Sequence, residues 1–183
     1  MKELVFILDM SGSMYPLTED VIGGFNSVIN EHKNEEALVT TILFSTKVVM
    51  IHDRIPIAEL SAMTEEDYRA CGCTALIDAI GSTIKHIADI HKYIRPEDVP
   101  EETKFFILTD GAENSSHLFT THEVRHMIKN RQENYKWEFI FLAENIDAAE
   151  TAHFIGIDRK NAYDVGRESE GIVNAFDKIN KYI

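Results

Sequence analysis

Two near-continuous apolar runs that each stop on an aspartate constrain this chain most. Leu4-Val5-Phe6-Ile7-Leu8 ends at Asp9, and Phe105-Phe106-Ile107-Leu108 passes through Thr109 into Asp110 and Gly111. A strand with apolar side chains on both faces must be covered on both, which is the situation of a parallel strand flanked by helices. The neighbouring segments supply those helices. Leu17, Val21, Ile22, Phe25, Val28 and Ile29 follow the i, i+3, i+4, i+7 spacing of an amphipathic helix, and Leu76, Ile77, Ile80, Ile84 and Ile87 mark a second one. Alternation of this kind is the pattern of an α/β sandwich.

The remaining segments extend the scheme. Leu38 to Phe44 and Val48 to Ile51 read as strands separated by only Ser45-Thr46-Lys47, a gap that permits a hairpin and no helical crossover, so the later strand should be antiparallel and at an edge. Residues 52–72 read as a polar surface connection containing Pro56 and a short helix around Thr64 to Tyr68. Farther on come a helix from about Thr121 to Glu133, a strand Trp137 to Leu142, a short helix after Asp147, a weak strand near Asn161 to Val165 and a last helix Ser169 to Tyr182. Gly23-Gly24, inside the first helix, suggests close backbone packing there. If the chain winds from a central first strand to one side and then to the other, the result is a Rossmann-like doubly wound sheet. Its strand order would be 3-2-1-4-5-6, mostly parallel with one antiparallel edge strand and helices on both faces. The 183 residues, without repeat or linker, read as one domain spanning 1–183.

Charge narrows the partners. Lys and Arg total 18 against 31 Asp and Glu, a net charge of −13, which disfavours the phosphate-neutralising face that nucleic acid requires. No stretch could span a bilayer, and the run at Leu4 to Leu8 lacks the length and cleavage residues of a secretion signal. Cys71 and Cys73 are too close together to close a useful loop and too few to build a zinc site. They read as reduced thiols in a cytoplasmic protein, Cys73 abutting Thr74 where it could sense oxidation.

In open parallel sheets, ligands bind outside the carboxyl ends of the strands at the point where the winding reverses. Asp9 and Asp110 end the two strands expected to flank that point. Two converging carboxylates repel unless one is protonated or a cation lies between them. Ser11 and Ser13 are two residues apart across Gly12, so both hydroxyls can turn to one point, and Thr74 precedes its helix with a third. Hydroxyl and carboxylate oxygens suit a hard divalent ion.

These residues resemble the von Willebrand factor A-type (VWA) domain family. Its metal-ion-dependent adhesion site, MIDAS, has the pattern Asp-x-Ser-x-Ser, a distant Thr and a distant Asp-Gly. Asp9-Met10-Ser11-Gly12-Ser13, Thr74 and Asp110-Gly111 match in that order, and the resemblance spans essentially the whole chain. It implies that Ser11, Ser13 and Thr74 bind Mg²⁺ or Mn²⁺ directly or nearly so, with Asp9 and Asp110 acting partly through water. Mostly neutral inner ligands would leave the ion positive enough to attract an Asp or Glu of a partner protein. The expected function is thus a metal-dependent interaction module rather than an enzyme, with an ATPase or another assembly as a partner suggested by analogy. Asp78, one turn past Thr74, would orient the site from behind, and Glu113 and Asn114 would border the ligand.

A rival motif lies in His122-Glu123-Val124-Arg125-His126, which matches the His-Glu-x-x-His of zinc peptidases. Val124, Met127 and Ile128 define the opposite, apolar side of that helix, so the histidines should face water. Glu144 is the one third ligand to propose. A metal-dependent hydrolase using Asp110 as base is a further alternative, but a carboxylate already serving a metal is a poor base. The chain has neither a Gly-x-x-x-x-Gly-Lys nor a Gly-x-Gly-x-x-Gly phosphate loop. His32, His86 and His91 read as surface or boundary residues, and Trp137 as a packing residue.

Overall fold

The apolar runs become the centre of a six-stranded sheet in the computed structural model, which describes residues 1–144, 147–166 and 168–183. In chain order the elements are β1 (Lys2–Asp9), α1 (Thr18–Glu31), β2 (Ala37–Phe44), β3 (Val48–Pro56), α2 (Leu76–Tyr93), β4 (Glu102–Thr109), α3 (Thr121–Tyr135), β5 (Glu138–Ala143), α4 (Ala148–Ile155), β6 (Ala162–Asp164) and α5 (Glu168–Tyr182). Strand order is β3-β2-β1-β4-β5-β6, with β2 and β3 antiparallel and every other pair parallel. This is the expected doubly wound sheet. β1 lies between β2 and β4, so the winding reverses at β1 and β4.

The pleat divides the core in two. Leu4, Phe6 and Leu8 face one side, where Phe25 of α1 and Phe176 of α5 join them; Val5 and Ile7 face the other, with Ile80 and Ile84 of α2, Val124 and Ile128 of α3 and Ala152 of α4. Burying each such large side chain contributes about 1.5–3 kcal/mol, so β1, shielded on both faces, is firmly held. Phe6 meets Phe25 edge-on at 5.2 Å between centroids and Phe106 at 5.3 Å, tying α1 to β1 and β4.

Three details depart from expectation. β3 continues to Pro56 rather than stopping at Ile51. As an edge strand it needs no apolar run, and His52, Asp53 and Arg54 disguise it; Arg54 takes a positive φ of 51° where the ladder with β2 slips register. Residues around Thr64 to Tyr68 form a single turn, not a helix: the Asp67 and Tyr68 N–H groups both return to the Thr64 carbonyl, and the Asp67 carboxylate closes the turn on the Thr64 N–H and hydroxyl. Of the two glycines in α1, only Gly24 packs closely: a Cβ there would lie 2.2 Å from the Phe176 ring, whereas one at Gly23 would meet nothing within 4 Å.

Candidate metal site

The sheet brings the predicted residues to one edge. Asp9 ends β1, and its Oδ1 accepts the Ser11 N–H at 2.7 Å, folding the loop back over the strand end. The Ser11 and Ser13 hydroxyls lie 3.2 Å apart, and the Ser13 hydroxyl donates to Asp110 Oδ1 at 2.8 Å, a contact spanning 97 residues of sequence. The Gly12 N–H reaches the Gly72 carbonyl at 3.0 Å, which fastens the first loop to the one carrying Thr74. A methyl group built at Gly111 would sit 3.8 Å from the Thr74 hydroxyl, so Thr74 lies over the turn that follows Asp110. Five candidate ligands from three loops therefore share one edge. All are oxygen donors, and all except the exposed Ser13 are buried.

Burial raises the carboxyl pKa of Asp9 from its ordinary value, and the charge of Asp110 adds to the rise, while hydrogen bonds from Thr109 and Ser11 oppose it. Burial likewise raises Asp110, against the hydrogen bond from Ser13. Two carboxylates held where their charged forms are disfavoured, next to converging hydroxyls, have the donor chemistry of a hard divalent cation. The residues present fit such an ion.

Several supports were invisible in the sequence. The Thr109 hydroxyl donates to Asp9 Oδ2 at 2.7 Å, so both oxygens of Asp9 are oriented by the protein. Tyr68, buried from within a polar stretch, donates its phenol to the Asp9 carbonyl. A threonine one residue before Asp110 could have suggested the first; nothing local suggests the second.

The residues expected to border or brace the site act mainly on backbone. Asp78 accepts the N–H groups of His117, Leu118 and Phe119 at 2.8–2.9 Å, pinning the loop after β4 to α2. Glu113 caps α2 by accepting the Ile77 N–H and also holds Ser115 and Ser116. Asn114 brackets Thr74, its side chain accepting the Thr74 N–H and its own N–H donating to the Thr74 carbonyl.

His122 and His126 are exposed, as their helix face predicts, and Glu123 has a structural task. Thr120 and Glu123 form a reciprocal capping box at the start of α3, which leaves that carboxylate engaged with the Thr120 N–H and hydroxyl. Glu144 faces Gly171 of α5, on the opposite side of the sheet from α3. Among the described residues no group of three His, Cys, Asp or Glu is placed to hold a metal, so the His-Glu-x-x-His segment lacks a third ligand of those types. His32 pairs with Glu35 and His86 with Asp53 near the surface; His91 is more enclosed, bonded to the buried Glu3 and edge-on to Trp137. Cys71 and Cys73 are free and exposed. No described helix is long and apolar enough to cross a membrane.

No family model matches the chain, and no curated protein matches it. Solved structures do. The chain is similar to the PilB minor pilin from Streptococcus sanguinis, with a TM-score of 0.67 at 12% identity over 99% of this chain and 60% of that one. It is also similar to proximal thread matrix protein 1 from the mussel byssus, with a TM-score of 0.62 at 11% identity over 99% of this chain and 45% of that one. A third similar structure is a von Willebrand factor type A protein from Catenulispora acidiphila, with a TM-score of 0.59 at 16% identity over 98% of this chain and 42% of that one. At such identities the likeness is one of fold, an α/β fold of the VWA and Rossmann kind. The chain spans less than two thirds of each of these proteins' length.

Proposed function

We propose that this chain is a protein-interaction module that recognises an Asp or Glu side chain of a partner through a divalent cation, Mg²⁺ or Mn²⁺, held at the β1–β4 edge. The observation that carries this reading is the contact of Ser13 with Asp110, which joins the Asp-x-Ser-x-Ser loop to the end of β4 beside Thr74. Likeness of fold to a VWA protein supports it. Ser11, Ser13 and Thr74 would hold the ion, and Asp9 and Asp110 would balance its charge partly through water. The bound ion would supply one electrophilic position open to an outside carboxylate.

The chain's own groups set the terms of recognition. Neutral hydroxyls do little to quench a cation, and the buried carboxylates are oriented by Thr109, Ser11 and Ser13 rather than left to reach outward. Without the ion, a chain of net charge −13 repels an acidic partner; with it, the sign is reversed at this one edge. Asp110, engaged by Ser13, is poorly suited to be a general base, which favours recognition over hydrolysis. The partner is a protein with an accessible acidic residue, an ATPase or other assembly being the class the resemblance suggests.

Capture of partners on the immobilised protein tests this. Binding should require Mg²⁺ or Mn²⁺, disappear with chelator and be lost in Asp9→Ala. A partner retained in full by the metal-free protein contradicts the proposal.

A further inference from the structure

We propose that Cys71 and Cys73 are a reversible dithiol–disulfide pair, a modification site that takes a small disulfide as reactant and, once oxidised, displaces Thr74 from the candidate metal site. Only the last clause rests on the proposed function. Both thiols are free and exposed, so a small reactant can reach either sulfur. The chain bends at the single residue between them, Gly72, whose φ of 81° lies in the left-handed region.

Over four residues the backbone here fastens three segments, the loop after β1, the β2–β3 turn and the loop after β4. Cys71 N–H donates to the Met10 carbonyl at 2.9 Å, the Gly72 carbonyl accepts from Gly12 at 3.0 Å, Cys73 N–H donates to the Thr46 hydroxyl at 2.9 Å, and Thr74 N–H donates to Asn114 at 2.9 Å. Gly72 lies against Thr46, whose hydroxyl oxygen would be 2.6 Å from a Cβ at this position, so no other residue fits here. A disulfide requires its two Cβ atoms at about 3.8 Å and a Cβ–S–S–Cβ dihedral near ±90°. Closing that ring across one residue constrains the Gly72 torsions, which aim the Gly72 carbonyl and the Cys73 N–H, two of these four groups. Oxidation therefore re-aims the bond that seats Gly12 and the Cys73 N–H bond to Thr46 that anchors the chain immediately before Thr74. Such a constrained and exposed disulfide belongs to the readily reduced, regulatory class.

The chemistry balances in two exchanges. One cysteine sulfur attacks a sulfur of the small disulfide, breaking its S–S bond and releasing one small thiol that carries away the cysteine's proton. The other cysteine then attacks the protein-side sulfur of the mixed disulfide, expelling the second small thiol with the second proton. The protein loses two hydrogens, and the small disulfide is reduced to two thiols.

The test equilibrates the full metal-free chain in mixtures of reduced and oxidised glutathione. Intact mass after alkylation should show both thiols vanishing together without a retained adduct, while Cys73→Ser should accumulate a mixed disulfide at Cys71. Amide exchange at Gly12, Cys73 and Thr74 should be about ten-fold faster in the oxidised protein. Magnesium titration should give an affinity weaker by about ten-fold or more after oxidation, the scale of disturbing a ligand's support. Independent reaction of the two thiols to stable glutathione adducts, or a disulfide that leaves amide exchange unchanged, overturns the proposal; unchanged Mg²⁺ affinity overturns the coupling. If the reduced protein takes up no Mg²⁺, the proposed function fails, while thiol pairing and amide exchange still decide the dithiol.

Discussion

Burial raises the carboxyl pKa of Asp9 and of Asp110, and that has a measurable sign. Their folded pKa values lie above the unfolded value of about 4, so the folded protein binds more protons than the unfolded chain between the two. Stability of the metal-free protein contributed by these groups therefore falls as pH rises from about 4 through the folded pKa values. In chelator, urea midpoints between pH 4 and 7 should show the parent protein losing stability relative to Asp110→Asn; parallel profiles would contradict the assignment. Saturating Mg²⁺ should remove the difference in slope, because the ion compensates the charged forms. Asp78 makes a different prediction. It is 6% exposed and accepts three backbone N–H groups, each such bond to a charged acceptor contributing about 1.5 kcal/mol or more. Asp78→Ala should lower stability by about 3 kcal/mol or more in urea titration, and a loss under about 1 kcal/mol would show that the loop after β4 is held by other contacts.

At the scale of elements, α1 and α3 offer paired tests. Gly24→Ala drives a Cβ into the Phe176 ring and should destabilise by about 1–3 kcal/mol, while Gly23→Ala, facing open space, should stabilise by about 0.5–1 kcal/mol. Equal effects at the two positions would contradict the α1–α5 packing. Glu123→Ala should lower the urea midpoint slightly through loss of the α3 capping box, with no change in peptide cleavage. Zinc-dependent cleavage abolished by that substitution would reverse the reading. These elements also mark what sequence can convey. β1, β4 and α2 were legible because their side chains repeat with the period of the backbone they adopt. The second half of β3 is not legible, because His52, Asp53 and Arg54 interrupt the apolar pattern and an edge strand with a register slip imposes little pattern of its own. The capping role of Glu123 is legible in principle, since Thr120 stands three residues before it, but the same glutamate also completes a His-Glu-x-x-His pattern, and spacing alone does not separate the two roles.

For the whole molecule, winding order carries the most information. Asp9, the last residue of β1, and Asp110, the residue after β4, are 101 positions apart in numbering, and only the reversal of winding between β1 and β4 makes them neighbours. That much could be inferred from alternating runs and a crossover rule. What could not is Tyr68 beneath Asp9, or that Asn114, Asp78 and Glu113, residues expected near the site, brace it through backbone groups. Each is a polar side chain reaching a backbone group far away in sequence, which no local period reports. The central claim is that Ser11, Ser13, Thr74, Asp9 and Asp110 together hold one divalent cation. Calorimetric titration of the metal-stripped protein with Mg²⁺ and Mn²⁺, beside Ser13→Ala and Asp110→Ala of confirmed native fold, tests it most directly. One saturable site in the parent protein that is lost or greatly weakened in both variants is the predicted result; no saturable binding in the parent, or binding unchanged in Asp110→Ala, would contradict it.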